Sequence, residues 1–104
     1  MFDSDEPYIN PHVFLANIRR IENLTQQHDG TAEIAFIHTM EELTEVARCL
    51  RGRHVDEPMH VECLDAINCL VELYFRAGGK LEDFSGLQAK KIDKWERKLG
   101  KKGK

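Results

Sequence analysis

Residues 31–51 read TAEIAFIHTMEELTEVARCLR, and this stretch predicts an amphipathic helix. Thr31 is a typical N-cap and Gly52 a typical C-terminal stop, so we expect the helix to run from Thr31 to Arg51. Apolar residues recur along it at spacings of three and four, as on one face of a helix. They are Phe36, Met40, Leu43, Ala47 and Leu50. The stretch therefore indicates a helix that packs through one side.

Two of the other helices have equally clear start and stop signals. The first is predicted to begin at Asn10-Pro11, since asparagine is a good N-cap and proline suits the first helical position. It ends in a turn before Gly30. The third is predicted to begin near residues 56–58, which also combine an acidic cap with a proline, and to end at the glycines 78–79.

The fourth helix is predicted from about Glu82 to Leu99, followed by a basic, disordered tail at residues 100–104. No segment of the chain has the period of two that marks a half-buried strand. A length of 104 residues suits one domain with a modest core. The sequence therefore predicts an all-α, four-helix-bundle-like fold in a single domain, residues 1–99.

Apolar faces on the other three helices complete the predicted core. The residues expected to face inward are Phe14, Ile18, Ile21 and Leu24, then Leu64, Ile67, Leu70, Val71, Tyr74 and Phe75, then Phe84, Leu87, Ile92, Trp95 and Leu99. The apolar arc of the third helix is wider than one neighbouring helix can cover. We therefore expect an obligate oligomer, either a homodimer or a homotetramer built as a dimer of dimers.

Charge is distributed unevenly along the chain. Residues 1–75 contain 5 Lys+Arg and 14 Asp+Glu, a net charge of −9, whereas residues 76–104 contain 10 and 4, a net charge of +6. The acidic part suits a cation and the basic part suits phosphates. Because most of the chain is acidic, the short basic tail is weak evidence for nucleic-acid binding, and we do not expect it.

Cysteine usage and hydropathy bear on the compartment. Cys49, Cys63 and Cys69 are odd in number and lack CxxC spacing, which favours free thiols in the reducing cytoplasm. No stretch resembles a signal peptide or reaches the 18 apolar residues of a membrane span, so no membrane partner is expected.

Two acidic clusters contain most of the functional signal. One reads EELTE at residues 41–45 and the other ECLD at residues 62–65, with sixteen residues between them. Each cluster places carboxylates one helical turn apart, and antiparallel packing of the two helices would bring the clusters together. Carboxylate oxygens are the ligands that Mg²⁺ prefers. The alternative is that both are solvated helix faces, although the like-charged pair Glu41–Glu45 is unfavourable on a bare surface.

These motifs fit the pattern EExxE followed by ExxD, and the chain resembles the MazG-type all-α nucleoside triphosphate pyrophosphohydrolases. The resemblance covers residues 31–99. It includes His38, three residues before the first glutamate, and the apolar run that ends in RAGG at residues 76–79. The stretch KKIDKWERK at residues 90–98 is similar to the basic closing helix of short MazG-like proteins.

The resemblance implies hydrolysis of a (d)NTP to its monophosphate and pyrophosphate, as in house-cleaning of the nucleotide pool. It implies that Glu42, Glu45, Glu62 and Asp65 bind Mg²⁺, with Mn²⁺ as a substitute. Glu41 is then either a further ligand or the group that orients the attacking water. It also implies an oligomer in which a second subunit completes the nucleotide pocket. The alternative is a non-catalytic helical module that binds nucleotide or a regulatory partner without turnover.

A bound triphosphate needs cationic partners, and the basic last helix is their expected source. Lys91 is expected to point toward the bundle, while Lys94 fits either a phosphate contact or a solvated face. His38 is expected either to reach a phosphate or base, or to be a partly buried structural histidine. Trp95 either stacks on a base or packs in the core or at an interface, and Asn68 either contacts the nucleotide or caps the acidic stripe.

Overall fold

The computed structural model describes residues 10–53 and 57–102, with side chains described up to residue 100. Its four helices are α1 (Pro11–Gln27), α2 (Ala32–Leu50), α3 (Met59–Arg76) and α4 (Leu81–Lys102). These two ranges contain no strand, which confirms the predicted all-helical class. No helix in the described ranges combines the length and the hydropathy that crossing a bilayer demands.

The first two helices begin at the predicted caps. The Asn10 side chain accepts a hydrogen bond from the backbone N–H of His12 at 2.8 Å, and the Thr31 hydroxyl accepts one from the N–H of Ile34 at 3.2 Å. Each cap satisfies a helix N–H that has no partner within the helix. α2 ends before Gly52, whose φ of 70° lies in the left-handed region that glycine adopts without strain.

α3 begins later than predicted, at Met59. Pro58 occupies the N-cap position in extended conformation, with φ −62° and ψ 157°, and makes no side-chain hydrogen bond to the helix. Proline has no polar side-chain atom with which to cap, so the helix starts directly after it. The predicted Asp56 cap lies outside the described residues.

α4 is longer than predicted, since it continues through Gly100 to Lys102. The prediction that the helix ends at Leu99 is therefore wrong by three residues; residues 103–104 lie outside the described ranges. A glycine inside a helix costs about 1 kcal/mol relative to alanine. That cost is too small to end a helix of 22 residues.

The most extensive packing in the described chain is between α2 and α3. The two helices run antiparallel. The thiol of Cys49 near the end of α2 lies 3.8 Å from the carbonyl oxygen of Glu57, just before α3, and His38 in the first half of α2 lines one cavity with Asn68 in the second half of α3. We call their line of contact the α2–α3 seam, and its buried residues are Ala35, Thr39, Glu62 and Ala66. α1 packs against α3, and Ile18 and Val71 are buried. The seam is therefore made of small and polar side chains.

Most of the large apolar residues predicted to form the core are exposed. Those on α2 and α3 turn, by helical phase, to one side of the pair and form what we call the open apolar face: Phe36, Met40, Leu43, Leu50, Met59, Ile67 and Leu70, between 40% and 70% exposed. The same correction applies to Phe14, Leu24, Leu64, Leu87, Ile92, Trp95 and Leu99. Small residues in the seam let α2 and α3 approach closely, and this rotates the large side chains outward.

The chain exposes more surface than a compact monomer of its size. Its accessible area is 8664 Å², whereas a compact protein of 12.0 kDa exposes about 6,000 Å². Its Cα radius of gyration is 16.5 Å, against about 13 Å for a compact domain of this length.

α4 is anchored near its start and free beyond it. The ring of Tyr74 packs edge-to-face on the ring of Phe84 with 5.1 Å between centroids, and its hydroxyl donates to the carbonyl oxygen of Lys80 at 2.7 Å. Gly79 is required in this turn because a Cβ there would collide with the Tyr74 ring. Residues 85–100 are all exposed, so α4 extends away from the packed helices.

Arg76 ties the connection between α1 and α2 to α3. Its guanidinium donates to the carbonyl oxygens of Gly30 at 3.1 Å and of His28 at 3.3 Å, and its Nε donates to the Glu72 carboxylate at 2.8 Å. A Cβ on residue 30 would lie 2.8 Å from Cζ of Arg76, so glycine makes room for the guanidinium. The Arg76 side chain is 11% exposed, which partly shields these charge-assisted bonds from water.

We predict that Arg76→Ala lowers the free energy of unfolding by about 2 kcal/mol, because it removes a largely shielded charged group and its hydrogen bonds at once. The control is Arg48→Ala, which removes the exposed Arg48–Glu45 pair and should cost less than about 1 kcal/mol. Urea denaturation followed by circular dichroism measures both. Equal losses for the two variants would contradict the structural role of Arg76.

Candidate metal centre and adjoining cavity

Three carboxylates from α2 and α3 converge at the seam. Glu42, Glu62 and Asp65 each offer an oxygen atom, and these atoms all lie within 4.8 Å of one another. Glu62 and Asp65 lie one turn apart on α3, and Glu42 approaches from α2. The antiparallel packing thus brings together acids that are about twenty residues apart in sequence, as the two motifs predicted.

The separation suits one small cation after minor adjustment. Oxygen ligands lie 2.0–2.1 Å from Mg²⁺, so two ligands on opposite sides of the ion are about 4.2 Å apart. Only one pair of the three oxygens can lie on opposite sides, and adjacent oxygens around the ion are about 3 Å apart, so the side chains of Glu42, Glu62 and Asp65 would rotate inward to bind one ion together. Three carboxylate oxygens leave further positions for water and for phosphate oxygens, as is usual for Mg²⁺.

Glu62 distinguishes this cluster from an ordinary solvated acidic face. It is only 6% exposed, and its pKa is raised above the ordinary value of 4.5, first by burial and then by the negative charges of Glu57, Asp65, Glu45 and Glu42. The ion pairs in the described part of the chain involve Glu45 and Glu72 rather than Glu62. A buried carboxylate among like charges favours either a bound proton or a bound cation.

The other two glutamates of the first motif lie outside the three-carboxylate group. Glu45 forms an ion pair with Arg48 at 3.0 Å, in which the side chains are 36% and 54% exposed. It is still close enough for its charge to raise the pKa of Glu62. Glu41 is exposed, and its charge contributes to raising the pKa of Cys69. Both glutamates therefore border the cluster.

The thiols near the cluster do not suit metal binding. Burial, followed by the charges of Glu62 and Glu45, raises the pKa of Cys49. Burial, followed by the charge of Glu42, raises the pKa of Cys69. A thiol must lose its proton to act as a ligand or a nucleophile, so both side chains are poor candidates for either role at neutral pH. The oxygen donors define the site.

A cavity of about 560 Å³ lies about one helical turn along α2 and α3 from Glu42 and Asp65, and none of the three carboxylates lines it. Its walls come from the second half of α1, the α1–α2 connection, the first half of α2 and the second half of α3. His38 lines it one turn before Glu42, and Asn68 and Cys69 line it one turn after Asp65. The structure therefore brings two of the predicted nucleotide contacts, His38 and Asn68, to one cavity beside the acids.

The predicted contacts on the last helix are elsewhere. Lys91, Lys94 and Trp95 are exposed on the free part of α4 and do not line this cavity. The expectation that Lys91 points toward the bundle of its own chain is wrong, because α4 leaves the other helices after Phe84. Trp95 is 63% exposed, which also excludes a core position within a single chain.

Arg76 and Glu72 also line the cavity. The sequence placed Glu72 on the acidic stripe of the third helix with Glu62 and Asp65, but it assigned Arg76 no role in the site. The spacing of four between Glu72 and Arg76 on one helix is a detectable signal for an ion pair. The two bonds from Arg76 to the α1–α2 connection join residues more than forty positions apart in sequence, and no local pattern predicts them.

Comparison of the chain with protein-family models, with curated proteins and with solved structures gives no match in any of the three. The case for a function therefore depends on the geometry of the carboxylates and cavity and on the motif resemblance.

We predict that, without divalent metal at pH 7, Glu62→Gln makes the protein more stable than wild type. A carboxyl group whose pKa is raised in the folded state destabilises the fold at pH values above that raised pKa. The destabilisation decreases as the pH falls from the raised pKa toward the ordinary value of 4.5, and it is absent below that value. The stability gap between the variant and wild type should close over that window. Adding Mg²⁺ should stabilise wild type alone and reverse the order.

Thermal unfolding at a series of pH values, with EDTA or with Mg²⁺, measures these differences. Glu33→Gln, which neutralises an acid in the first turn of α2, controls for the loss of one negative charge. A Glu62→Gln protein that Mg²⁺ stabilises as much as wild type would contradict the role of Glu62 in the cluster.

Proposed function

We propose that this chain is a Mg²⁺-dependent nucleoside triphosphate pyrophosphohydrolase, which converts a (d)NTP and water into a (d)NMP and pyrophosphate. The observation that carries the proposal is the convergence of Glu42, Glu62 and Asp65, with oxygen atoms within 4.8 Å of one another. The burial of Glu62 supports it, because a buried acid among other acids is best stabilised by a cation. The motif resemblance names the reaction.

Glu42, Glu62 and Asp65 would hold Mg²⁺ (or Mn²⁺) at the cluster, where the ion would supply charge neutralisation for the phosphates and a more acidic coordinated water. Glu45 would join them if its ion pair with Arg48 opened, at small cost because exposed ion pairs contribute little. Glu41 either completes the ligands or accepts a proton from the attacking water.

The nucleoside part of the substrate fits the adjoining cavity. Its volume of about 560 Å³ lies within the range of roughly 300–1,000 Å³ that small-molecule sites occupy. His38 and Asn68 offer polar groups to the base or sugar, and Ile21 and Leu24 offer apolar surface. The phosphates then extend toward the carboxylates, one helical turn away from His38 and Asn68.

We predict that the purified protein releases pyrophosphate from at least one member of a dNTP and NTP panel with Mg²⁺, and none with EDTA. Glu42→Gln and Asp65→Asn should each lower the rate by roughly 100-fold or more, because each removes a charged metal ligand. Glu33→Gln is the matched control, an exposed glutamate on the same helix as Glu42 that should keep wild-type activity. Product analysis should find monophosphate and pyrophosphate.

Equal activity in wild type, Glu42→Gln and Asp65→Asn would refute the enzymatic proposal. Binding of a nucleotide without turnover would favour the alternative, a non-catalytic nucleotide-binding or regulatory module. Diphosphate and phosphate as products would assign a different hydrolase reaction to the same carboxylates.

The proposal includes a homodimer formed through the open apolar face, working in the cytoplasm, where the three thiols remain reduced. The exposed side chains of this face, such as Phe36, Met40 and Leu43, provide the kind of apolar surface that obligate homodimer interfaces bury. The open apolar face lies on the opposite side of the α2–α3 pair from His38 and Asp65, by helical phase. Pairing through it leaves the cavity accessible, and a dimer of dimers requires a further surface.

We predict a mass of twice 12.0 kDa by light scattering at micromolar concentration. Leu43→Glu or Ile67→Glu should shift the protein to monomers, because each would bury a charge in an apolar interface. Leu43→Met keeps the residue apolar at similar volume and should preserve the dimer. A wild-type monomer, or dimers of undiminished stability in both glutamate variants, would contradict pairing through this face.

A further inference from the structure

The free part of α4, residues 85–102, has one apolar side. We call this side the apolar arc of α4, and it consists of Leu87, Ile92, Trp95 and Leu99, which are between 45% and 63% exposed. At 100° per residue these four side chains lie within about 140° of one another. In proteins, helices are stabilised mainly by packing such a face against another element. Residues 85–100 are all exposed, so the described part of the chain does not cover the arc.

The rest of the free part of α4 is mostly basic. Residues 85–102 contain 7 Lys+Arg and 2 Asp+Glu, a net charge of +5. Lys91, Lys94 and Lys98 lie along one edge of the apolar arc, whereas both acids lie at least about 100° from its centre. The long stem of a lysine can lie along apolar surface while its ammonium group reaches outward. The arc is therefore bordered by cations that a partner must accommodate.

This combination indicates the chemistry of the partner. An apolar arc with a tryptophan, lysines beside it and a low mean hydropathy are typical of helices that lie in the plane of a membrane surface. The indole ring suits the boundary between acyl chains and headgroups, because it is apolar with one polar N–H group. Anionic headgroups supply the negative charge that the lysines need. Such a helix does not need the hydropathy of a membrane span, on which the expectation of no membrane partner was based.

The distribution of charge favours lipid and leaves the carboxylates accessible. An anionic surface would repel residues 1–75, which have a net charge of −9. The 18 residues of the free part of α4 extend for about 27 Å, well beyond the Debye length of about 8 Å at physiological salt. The helix can therefore reach the surface without drawing the acidic part onto it. Nucleic acid would also attract the lysines, but contacts to its phosphates do not require the apolar arc.

We propose that the free part of α4 binds the surface of membranes that contain anionic lipid and lies in the plane of the headgroups. The apolar arc enters the boundary of the acyl chains, and the lysines at its edge contact the anionic headgroups. The rest of the chain, with the carboxylate cluster and the cavity, remains in water. This docking is independent of the proposed reaction, so it would stand even if the chain hydrolysed no nucleotide.

Vesicle titration of the full-length protein tests the docking. Trp95 is the sole tryptophan of the chain, so its fluorescence reports on α4. With vesicles of phosphatidylcholine and 25 mol% phosphatidylserine we expect a blue-shifted emission, and binding at least about 10-fold tighter than with phosphatidylcholine alone. High salt should weaken this binding. Lipids brominated in the acyl chains should quench Trp95, because the ring lies at the acyl boundary.

Variants measured by co-sedimentation separate the two components of the surface. Lys91→Glu/Lys94→Glu should weaken binding to the phosphatidylserine vesicles at least about 10-fold. The matched control is Arg19→Glu/Arg20→Glu, the same change of charge on exposed residues of α1, which should weaken it less than about 3-fold. Trp95→Ala should weaken binding about 10-fold, whereas Trp95→Phe keeps an aromatic ring and should retain most of it.

Absence of binding to the phosphatidylserine vesicles would overturn the proposal. Equal binding to both vesicle compositions, or binding that the α4 variants leave unchanged, would overturn it as well. Emission from Trp95 that is already blue-shifted without lipid and unaffected by vesicles would instead assign α4 to an interface with a second copy. Tighter binding to duplex DNA or RNA of mixed sequence than to the vesicles, at the same salt, would assign it to nucleic acid. Either assignment also refutes docking to a membrane.

Discussion

The close approach of α2 and α3 governs the rest of the molecule. Ala35, Thr39 and Ala66 are small enough for the two backbones to pack closely, and Glu62 is buried with them. This contact determines the rotation of both helices about their axes. Once the rotation is set, the carboxylates of both motifs converge on one side of the pair, and the large aliphatic and aromatic side chains turn to the other side.

The two sides have unlike physical requirements. On the acidic side, like charges and burial raise the pKa of Glu62, so the folded chain gains from a positive ion at that place. On the open apolar face, side chains such as Phe36 and Ile67 are about half exposed and gain from leaving water. Metal binding and self-association would thus stabilise the same helix pair through separate surfaces, and neither would obstruct the other.

Local sequence signals predicted the four helices well, and they predicted the meeting of Glu42 with Glu62 and Asp65, because caps, prolines and helical phase are local properties. They did not predict which face of α2 packs inside the chain. The apolar residues Phe36, Met40 and Leu43 have the same helical spacing as Ala35, Thr39 and Glu42, and each lies one position later in the sequence. Hydrophobicity favours the first set, but a single chain of this size cannot cover it. The sequence also did not predict that α4 extends away from the other helices, because a chain of this size likewise cannot cover the apolar residues of α4.

The bonds from Arg76 to the α1–α2 connection end on backbone carbonyl oxygens, at His28 and Gly30. Such bonds are indifferent to the side chains at positions 28 and 29, both of which line the cavity. Substitutions at these two positions can change the chemistry of the cavity wall while its location stays fixed. Only residue 30 is constrained, since any Cβ there would meet the guanidinium. This short connection is therefore a natural place for ligand preference to diverge without loss of the scaffold.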